Sequence, residues 1–561
     1  MIIQPIIDLA VICAKKGIKN AVLSPGSRCA PISLAFARHP DIHCRTIADE
    51  RSAAFIALGM AQQLKKPVVL VCTSGSAALN YGPAVAEAFF QQVPLLVITA
   101  DRPVEWIDQW DGQTVHQENA YGRHVKAYYS FPDEFSHPDK VWHAHRIANE
   151  AADKAAELPA GPVHINIPIR EPFYPQPGEV FSFDNNVGIS EEIKPLPFLS
   201  AEAQAPLRLA LEKFSRVLIV PGQQVPDAAI RTLLNSLAKE KKAVVVTDVI
   251  SNMQSELTIS HHDLFLNAVS DPAATSPDLV ISFGKSVVSK SLKLFLRKSD
   301  ATHWHIQEAG YFPDPFQQLN TRILCRPVDF LRFLAENLPT ADEAFYGHWQ
   351  DAETKIQRRL PDIMDQVGFG EFRAVHEVLQ DLPSPAKVHL ANSMPVRYVN
   401  YLGIRDESQE VICNRGTSGI DGSNSTAVGC SFTTKEPVVL ITGDMAFFYD
   451  RNAFWHKYSL PNLRIILLNN QAGGIFRLIN GSSQLPELEE FFETRQDLNG
   501  RLLAQEHGFE YFQASDVSQL RGILKSFYQT SVKPKILEIT SNSRANADIL
   551  RQVKRSVETL Y

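Results

Sequence analysis

The chain has 561 residues, and its 55 Lys and Arg against 62 Asp and Glu give a formal net charge of −7 at pH 7. This length predicts about two to four domains, since one domain usually takes ~100–200 residues. A hydrophobic fraction of 45% and a charged fraction of 21% are ordinary globular values and exclude a disordered or fibrous chain.

Three features of the sequence indicate the binding partners and the cellular location of the protein: its charge pattern, its cysteines and its N-terminus. An acidic balance without a long Lys/Arg run predicts that it binds neither nucleic acid nor a membrane surface. The seven cysteines are dispersed without a CxxC pair, which is typical of reduced thiols in a cytoplasmic protein. Residues 1–16 do not form a signal peptide, because Gln4, Pro5 and Asp8 interrupt the apolar run. We therefore expect a cytoplasmic protein.

Short β-branched runs alternate with longer amphipathic stretches in the first block, 1–180. This pattern predicts an α/β fold with an open, mostly parallel sheet. Helices are expected at 53–64 and 77–90. The predicted strands are 21–23, 43–47, 68–72, 95–99 and 163–167.

Two further blocks show the same pattern. A stretch rich in Pro, Asn and acidic residues, 173–200, predicts a linker to a second block, 200–340. A helical stretch, 341–365, leads into a third block, 366–561. The simplest organisation is therefore three consecutive α/β domains. The predicted strands are 217–220, 243–247, 279–282 and 304–307 in the second block and 387–390, 410–413, 437–442, 463–468 and 535–539 in the third.

Ligands of open parallel sheets bind beyond the carboxyl ends of the strands, and the unusual residues cluster there. In the middle block, 283–286 looks like the end of a phosphate-binding P-loop, but Leu279 stands where that motif needs a Gly, which excludes it. The clusters of the outer blocks are 24–28, 48–51, 73–76 and 100–103 in the first and 392–393, 414–419, 443–445 and 469–474 in the third.

The most informative segment runs from Gly443 to Asn470, with two glycines shortly after it. The Asp444 carboxylate, the Asn470 amide and a main-chain carbonyl near Ala472 would present oxygen ligands from two strand ends, a set that suits Mg²⁺ and not zinc. Gly473 and Gly474 would let the backbone approach phosphate oxygens closely. Gly-Asp or Asn-Asn alone would be an ordinary turn. Their pairing at two strand ends favours a metal site.

This segment resembles the motif of thiamine-diphosphate enzymes, which begins with Gly-Asp-Gly and closes on Asn-Asn; here Met445 replaces the third Gly. In that family a Glu bonded to the cofactor's pyrimidine ring drives the tautomer that deprotonates the thiazolium carbon. The resemblance implies this catalytic role for Glu50, at the start of an apolar helix. On its own, Glu50 would be an acidic residue favoured by the helix dipole.

Further segments narrow the resemblance to the menaquinone-pathway synthases that make 2-succinyl-5-enolpyruvyl-6-hydroxy-3-cyclohexene-1-carboxylate (SEPHCHC). The family decarboxylates 2-oxoglutarate and adds the succinyl carbanion to isochorismate. The resemblance implies a pyrimidine-binding, a middle and a diphosphate-binding domain, and a homodimer or homotetramer with active sites shared between subunits. It covers both outer blocks and touches the middle one at 289–290. The matching segments are 24–28, 49–51, 73–75, 100–103, 161–166, 414–422 and 443–476.

The resemblance also implies the roles of individual residues. Both substrates carry two carboxylates, for which Arg is the natural bidentate partner. Relatives differ at Ser291 and Gly112, which makes the isochorismate contacts less specific than the cofactor contacts. The substrate-binding residues are expected to be Ser27, Arg28, Arg102, Gln113, Gln117 and Lys290, with Ser393, Arg397 and Arg415 for the oxoglutarate chain. The cofactor residues are expected to be Glu50, Ser74, Gly75, Gly416, Ser418, Gly419, Ile420, Gly443, Asp444, Met445, Asn470, Ala472, Gly473, Gly474, Ile475 and Phe476, of which Asp444, Asn470 and Ala472 bind Mg²⁺ or Mn²⁺.

Two alternatives stay open at this point. Another thiamine-diphosphate decarboxylase or carboligase would share Glu50, Asp444 and Asn470 but would not explain the cluster of arginines. A non-catalytic binding protein on the same fold would be expected to have lost Glu50 or the metal ligands. A dehydrogenase is disfavoured, because no GxGxxG follows a predicted strand.

Overall fold

The structure is a computed structural model and describes residues 3–183, 186–195 and 197–561. The chain forms two compact units, which are described separately. The first contains Met1–Lys194, Asn414–Lys435 and Ala446–Leu463, and the second contains Pro195–Cys413, Glu436–Met445 and Arg464–Tyr561.

The first unit is built on a six-stranded parallel sheet with the order β2-β1-β3-β4-β6-β5. The apolar strands β3 and β4 are buried along their whole length, as expected for a sheet covered on both faces. The strands are β1 Asn20–Leu23, β2 His43–Thr46, β3 Val68–Cys72, β4 Leu95–Asp101, β5 Tyr128–Ser130 and β6 Pro162–Pro168, and the helices are α1 Gln4–Lys15, α2 Ala30–Arg38, α3 Glu50–Leu64, α4 Ser76–Asn80, α5 Gly82–Gln91 and α6 Pro138–Ala156.

The second unit contains two sheets, of which the one in the middle of the chain has five parallel strands in the order β11-β10-β9-β7-β8. Its strands are β7 Val217–Pro221, β8 Val244–Val245, β9 Leu279–Phe283, β10 Thr302–Gln307 and β11 Leu319–Leu324, and the helices are α7 Ala201–Leu211, α8 Ala228–Lys239, α9 His262–Phe265, α10 Pro272–Thr275, α11 Lys290–Lys298, α12 Pro327–Asn337 and α13 Glu343–Gln366.

The last sheet has six strands in the order β13-β12-β14-β15-β17-β16. One continuous apolar core joins its helices to those of the middle sheet within the second unit. The strands are β12 Ala386–Leu390, β13 Gln409–Cys413, β14 Val438–Gly443, β15 Leu463–Asn469, β16 Glu510–Ala514 and β17 Lys535–Thr540, and the helices are α14 Glu371–Gln380, α15 Met394–Leu402, α16 Ser423–Ser431, α17 Asp444–Tyr449, α18 Gly500–Glu506, α19 Val517–Phe527 and α20 Ser543–Glu558. Of these helices, α16 and residues 446–449 of α17 belong to the first unit.

In the first unit, α16 packs against α3 at van der Waals distance between backbones. A Cβ on Gly59 would lie 2.0 Å from the Thr426 carbonyl oxygen, and a Cβ on Gly429 would lie 2.0 Å from the Ile56 carbonyl oxygen. Only glycine fits at either position. This close packing fixes α3, whose first residue is Glu50.

The three sheets confirm the predicted α/β fold class, with two local differences. The sequence pattern does not predict β5, β11 or β16, each of which is an edge strand without a continuous apolar run. The helix expected at 77–90 is two helices, α4 and α5. The second starts at Gly82-Pro83 because a proline fits in the first turn of a helix, where its missing N–H is not needed.

All seven cysteines are free in the structure. In the described part of the chain, no helix combines the length and the apolarity needed to cross a membrane.

Candidate active site

Both outer sheets reverse strand order at a switch point, between β1 and β3 in the first and between β12 and β14 in the last. Crevices beside such points bind ligands in open α/β sheets. Most of the predicted site residues come after these four strands and their neighbours, whereas Lys290 comes after β9 of the middle sheet.

Glu50 opens α3 in the first unit. The preceding residue, Asp49, caps the helix by accepting a hydrogen bond from the Ser52 main-chain N–H at 3.0 Å. Its second carboxylate oxygen accepts from Asn452 Nδ2 at 2.7 Å. Glu50 itself is half-buried, and burial, with a contribution from the Asp49 charge, raises its pKa. The local structure therefore favours a protonated Glu50, as its expected role requires.

The loop after β3 carries Ser74 and Gly75. Gly75 has φ +89°, a conformation that favours glycine. Its N–H donates to Gln117 Oε1 at 2.8 Å, and Gln117 Nε2 donates to the Ala100 carbonyl at 3.0 Å. The Ser74 hydroxyl is buried and has no hydrogen-bond partner among the described residues. A polar ligand at this loop would satisfy it, whereas Gln117 acts here by fixing Gly75.

Arg28 lies in the loop between β1 and α2 and is 5% exposed. Its Nη1 donates to the Ile169 carbonyl at 2.5 Å, and its guanidinium lies 4.7 Å from the centre of the Phe173 ring. Burial and the nearby Arg102 charge lower the pKa of Arg28. Two cations are therefore held close together, an arrangement that suits a carboxylate ligand. The neighbouring Ser27 is exposed.

Arg102 orders the loop that contains Gln113. Its Nε and Nη2 donate to the Gly112 carbonyl at 3.1 and 2.6 Å, and its Nη1 lies 2.8 Å from Asp111 Oδ2. Gln113, the next residue, has φ +58°. Left-handed backbone at a residue that is neither Gly nor Asn is uncommon and concentrates at functional sites.

The turn after β13 carries Arg415, Gly416, Ser418, Gly419 and Ile420. Gly416 must be glycine because a Cβ would lie 2.6 Å from the Glu87 carbonyl oxygen of α5. The Glu87 carboxylate accepts hydrogen bonds from the N–H groups of Gly416 and Thr417 at 2.7 and 2.6 Å. Ser418 has φ +62°, and Ile420 is half-buried. A buried acid that no sequence motif indicates therefore holds this turn.

In the second unit, Asp444 and Asn470 follow β14 and β15, which are neighbours in the sheet. Asp444 is 2% exposed, and burial raises its pKa to about 6, although Gln496 Nε2 and the Met445 N–H donate to its oxygens. Asn470 Oδ1 accepts from the Ala472 N–H at 3.0 Å. The predicted metal ligands thus lie together at the carboxyl ends of β14 and β15.

Glu371, at the start of α14, lies beside these residues and is missed by motif reasoning. Its Oε1 accepts from Asn470 Nδ2 at 2.6 Å. Burial and the Asp444 charge raise the pKa of Glu371 to about 7. Because Nδ2 is engaged by Glu371, the opposite side of the Asn470 amide presents Oδ1, the atom that would bind a cation.

The glycines near Asp444 and Asn470 differ in the space that is available for a side chain. A Cβ on Gly443 would lie 4.0 Å from Pro395, an ordinary contact, whereas a Cβ on Gly474 would lie 3.1 Å from Asn470 Nδ2. A Cβ on Gly473 would lie 3.3 Å from the Phe476 ring. Ile475 and Phe476, in a 3₁₀ turn over Gly474–Leu478, are half-buried and form an apolar wall beside the polar residues.

A magnesium ion with a diphosphate fits this set of donors. Among the described residues, no three His, Cys, Asp or Glu side chains form a metal site. The expected ligands are one carboxylate with amide and main-chain oxygens, a set that suits Mg²⁺. The buried Asp444 carboxylate, with its pKa of about 6, is a charge that such a cation would stabilise.

Ser393, Arg397 and Lys290 also lie in the second unit. Ser393 precedes α15 with φ +73° and ψ −127°, a strained conformation of the kind that functional sites retain. Arg397 Nη1 donates to the Ser393 carbonyl one helical turn earlier. Lys290 is exposed and opens α11.

Two family descriptions match the chain. "Thiamine pyrophosphate enzyme, N-terminal TPP binding domain" matches residues 8–120, and "Middle domain of thiamine pyrophosphate" matches residues 208–390. Thiamine pyrophosphate is the same compound as thiamine diphosphate. The fold, the site and these matches define a thiamine-pyrophosphate enzyme and confirm that part of the sequence interpretation. The domain boundaries 1–180, 200–340 and 366–561 stay predictions.

Curated relatives match over nearly the whole chain. The 2-succinyl-5-enolpyruvyl-6-hydroxy-3-cyclohexene-1-carboxylate synthase of Cytophaga hutchinsonii is 45% identical, with 100% of both chains covered. Synthases of the same name from Christiangramia forsetii and Flavobacterium johnsoniae are 38% and 37% identical, with 97% and 96% of both chains covered. The chain belongs to the family of 2-succinyl-5-enolpyruvyl-6-hydroxy-3-cyclohexene-1-carboxylate synthases.

Proposed function

We propose that the protein uses thiamine diphosphate to decarboxylate 2-oxoglutarate and joins the remaining succinyl unit to isochorismate by 1,4-addition, giving SEPHCHC and CO₂ in menaquinone biosynthesis. The full-length similarity to synthases of that name supports this transferase reaction.

The observation that carries the choice of substrates is the pair of guanidinium groups Arg28 and Arg102. They lie close enough for the Arg102 charge to lower the pKa of Arg28. Isochorismate presents two carboxylates, and neighbouring guanidinium groups bind carboxylates through two hydrogen bonds each. A thiamine enzyme with an uncharged acceptor would offer this pair no acceptor carboxylate to bind.

The second unit supplies the metal and diphosphate contacts in this proposal. Asp444, Asn470 and the Ala472 carbonyl would hold Mg²⁺ or Mn²⁺, and the glycines of 473–474 would approach the diphosphate. Bound thiamine diphosphate supplies the electron sink for decarboxylation of a 2-oxoacid. Arg397, Ser393 and Arg415 would bind the oxoglutarate chain, and the apolar Ile475 and Phe476 would exclude water.

Glu50 acts through its proton. Burial raises the pKa of its carboxyl and so favours the protonated form, which can donate to a ring nitrogen of the cofactor. Homo-oligomers with shared active sites, and a cytoplasmic location, remain expectations from the resemblance. Light scattering of the purified protein tests the first of these.

The decisive assay follows the loss of isochorismate absorbance in the presence of thiamine diphosphate, Mg²⁺ and 2-oxoglutarate, with each component omitted in turn. We expect loss only in the complete mixture. CO₂ release from oxoglutarate with isochorismate untouched would contradict the acceptor half of the proposal, which depends on Arg28 and Arg102. It would instead favour another thiamine-diphosphate decarboxylase.

A further inference from the structure

The middle sheet carries a buried polar cluster to which the proposed reaction gives no role. Its centre is Asp263, on the short helix α9, beside the consecutive histidines 261 and 262. Asp263 is 8% exposed. A buried carboxylate is costly unless it is hydrogen-bonded, so its partners define its role.

One oxygen of Asp263 reaches the helix that begins with Lys290. The Ser289 hydroxyl, fully buried, donates to Asp263 Oδ1 at 2.5 Å. The same hydroxyl oxygen caps α11 by accepting from the Leu292 N–H at 2.9 Å. The start of α11, and with it the backbone of Lys290, is therefore fixed by Asp263.

The other oxygen reaches the helix that carries Arg397. Asp263 Oδ2 accepts from Asn400 Nδ2 at 3.1 Å, and Asn400, fully buried in α15, accepts at Oδ1 from the Val249 N–H at 2.9 Å. Both ends of the Asn400 amide are thus engaged. Asn400 lies in α15, which begins directly after Ser393 and carries Arg397. Asp263 therefore fixes the position of α15 relative to α11.

A second buried acid, Asp248, binds the loop that leads into α11. Asp248 Oδ1 lies 3.1 Å from His262 Nε2. Its Oδ2 accepts from the main-chain N–H groups of Val288 and Ser289, the latter at 3.2 Å. The loop that leads into α11 therefore has no freedom to shift without breaking buried hydrogen bonds.

We infer that Asp263 is a positioning residue that sets the distance between Lys290 and Arg397, and hence the alignment of isochorismate with the carbon that attacks it. The inference deepens the proposed function and rests on it for the substrate roles of Lys290 and Arg397. The effect passes through the helix ends, where a displacement of about 1 Å can cost ~100-fold in rate.

The test is Asp263→Asn in the full-length protein with cofactor and Mg²⁺. The amide keeps the bond from Ser289 but places an NH₂ group against Asn400 Nδ2. Helix α15 stays packed on β14 of the last sheet, which leads to the expected cofactor residue Asp444, so Arg397 keeps its place relative to that sheet while its alignment with α11 is lost. We therefore expect kcat/KM for isochorismate to fall about tenfold or more, whereas oxoglutarate-dependent CO₂ release without isochorismate changes less than about twofold. The ratio of SEPHCHC formed to CO₂ released should fall accordingly.

The exchange Asp263→Asn with Asn400→Asp provides the rescue. In the double variant the amide at position 263 donates to the carboxylate at position 400, which still accepts from the Val249 N–H. The net charge of the pair is unchanged, so the ratio of SEPHCHC to CO₂ should recover. The matched control is Asp278→Asn, directly before β9 of the same sheet. Asp278 accepts from the N–H groups of Ser215 and Arg216 at 2.9 and 3.0 Å, and among the described residues its side chain has no hydrogen bond to α11 or α15. It should leave the ratio unchanged.

Three results would overturn the inference: an equal fall of CO₂ release and addition in Asp263→Asn, no change in either, or the same ratio shift in Asp278→Asn. If Asp263→Asn does not fold, Ser289→Ala, which removes one arm only, must show the same split. Failure of the wild-type protein to consume isochorismate at all would instead refute the proposed function.

Discussion

The Glu87 carboxylate holds the N–H groups of Gly416 and Thr417 at 2.7 and 2.6 Å, with the Thr417 hydroxyl at 2.7 Å from the same group. Glu87 is 1% exposed and belongs to α5 of the first unit. Successive N–H groups of a turn form an anion-binding concavity. Here a side chain of the protein fills it, and the residues on either side, Arg415 and Ser418, are held in place as a result.

We predict that Glu87→Gln loosens this turn. The amide replaces one accepting oxygen with a donor, which leaves a buried N–H unpaired and lowers the free energy of unfolding by about 1–3 kcal/mol. Urea unfolding and titration with thiamine diphosphate measure the two effects, and cofactor affinity should fall. The control is Glu150→Gln, whose exposed pair with Arg146 is worth less than about 1 kcal/mol. Equal losses in both variants would contradict the prediction.

A second prediction concerns the packing of α3. Gly59→Ala places a methyl group 2.0 Å from the Thr426 carbonyl oxygen, so the two helices must separate. Overpacking of this kind costs about 1–3 kcal/mol or more. The control Gly347→Ala lies in the interior of α13, where a Cβ meets nothing within 4 Å, and should stabilise the protein by about 0.5–1 kcal/mol. Urea unfolding of both variants should give opposite signs.

The sequence indicates the two groups of expected site residues because turn residues mark the ends of strands. Gly443-Asp444 and Asn469-Asn470 interrupt strongly apolar runs, and neighbouring strands in a parallel sheet bring their carboxyl ends together. The edge strand β11 could not be predicted, because its residues alternate in exposure and lack the continuous apolar run that identifies central strands.

The acids that support the site could not be predicted, for a different reason. Glu87 is an ordinary acidic residue within a helix, and its partner Gly416 is 329 positions away. Glu371 lies 99 positions from Asn470 and follows no strand. Contacts at such separations depend on how the sheets and helices pack, which periodicity in one sequence does not specify.

The third prediction tests whether Glu371 supports the expected metal site by orienting the Asn470 amide or by its own charge. Glu371→Ala removes the acceptor of Asn470 Nδ2, so the amide can turn away, and Mn²⁺ binding should weaken about 10–100-fold. Glu371→Gln keeps an accepting oxygen and should bind Mn²⁺ within about threefold of wild type if orientation dominates. Electron paramagnetic resonance of free Mn²⁺, with thiamine diphosphate present, measures both. Equal weakening in the two variants would show that the charge of Glu371 is what matters.

The fourth prediction concerns stability and pH. Asp450 is fully buried, and burial raises its pKa to about 7, although the N–H and hydroxyl of Ser425 lie at 2.7 Å from its oxygens. In the unfolded chain its pKa is about 3.9. Between these values the folded protein binds a proton that the unfolded chain does not, so the free energy of unfolding falls by about 1.4 kcal/mol per pH unit as pH rises.

Asp450→Asn removes this titration while its amide can still pair with Ser425. Relative to wild type, the variant should therefore gain stability as pH rises from about 4 to about 7, with no further gain above that range. Urea unfolding of both proteins at several pH values across the range tests this. Parallel stability profiles would mean that Asp450 stays ionised in the folded protein.

The last prediction addresses Glu50. Glu50→Gln keeps the size of the side chain and the start of α3, so thiamine diphosphate should bind with an affinity within a few-fold of wild type. Turnover should fall about 10²–10⁴-fold, because an amide cannot supply the carboxyl proton on which activation of the cofactor depends. Titration calorimetry and the isochorismate assay separate the two effects. The control Glu134→Gln changes an exposed Glu of the same unit and should keep full activity. Near-full turnover in Glu50→Gln would remove Glu50 from the activation step, whereas loss of cofactor binding would assign it a role in affinity instead.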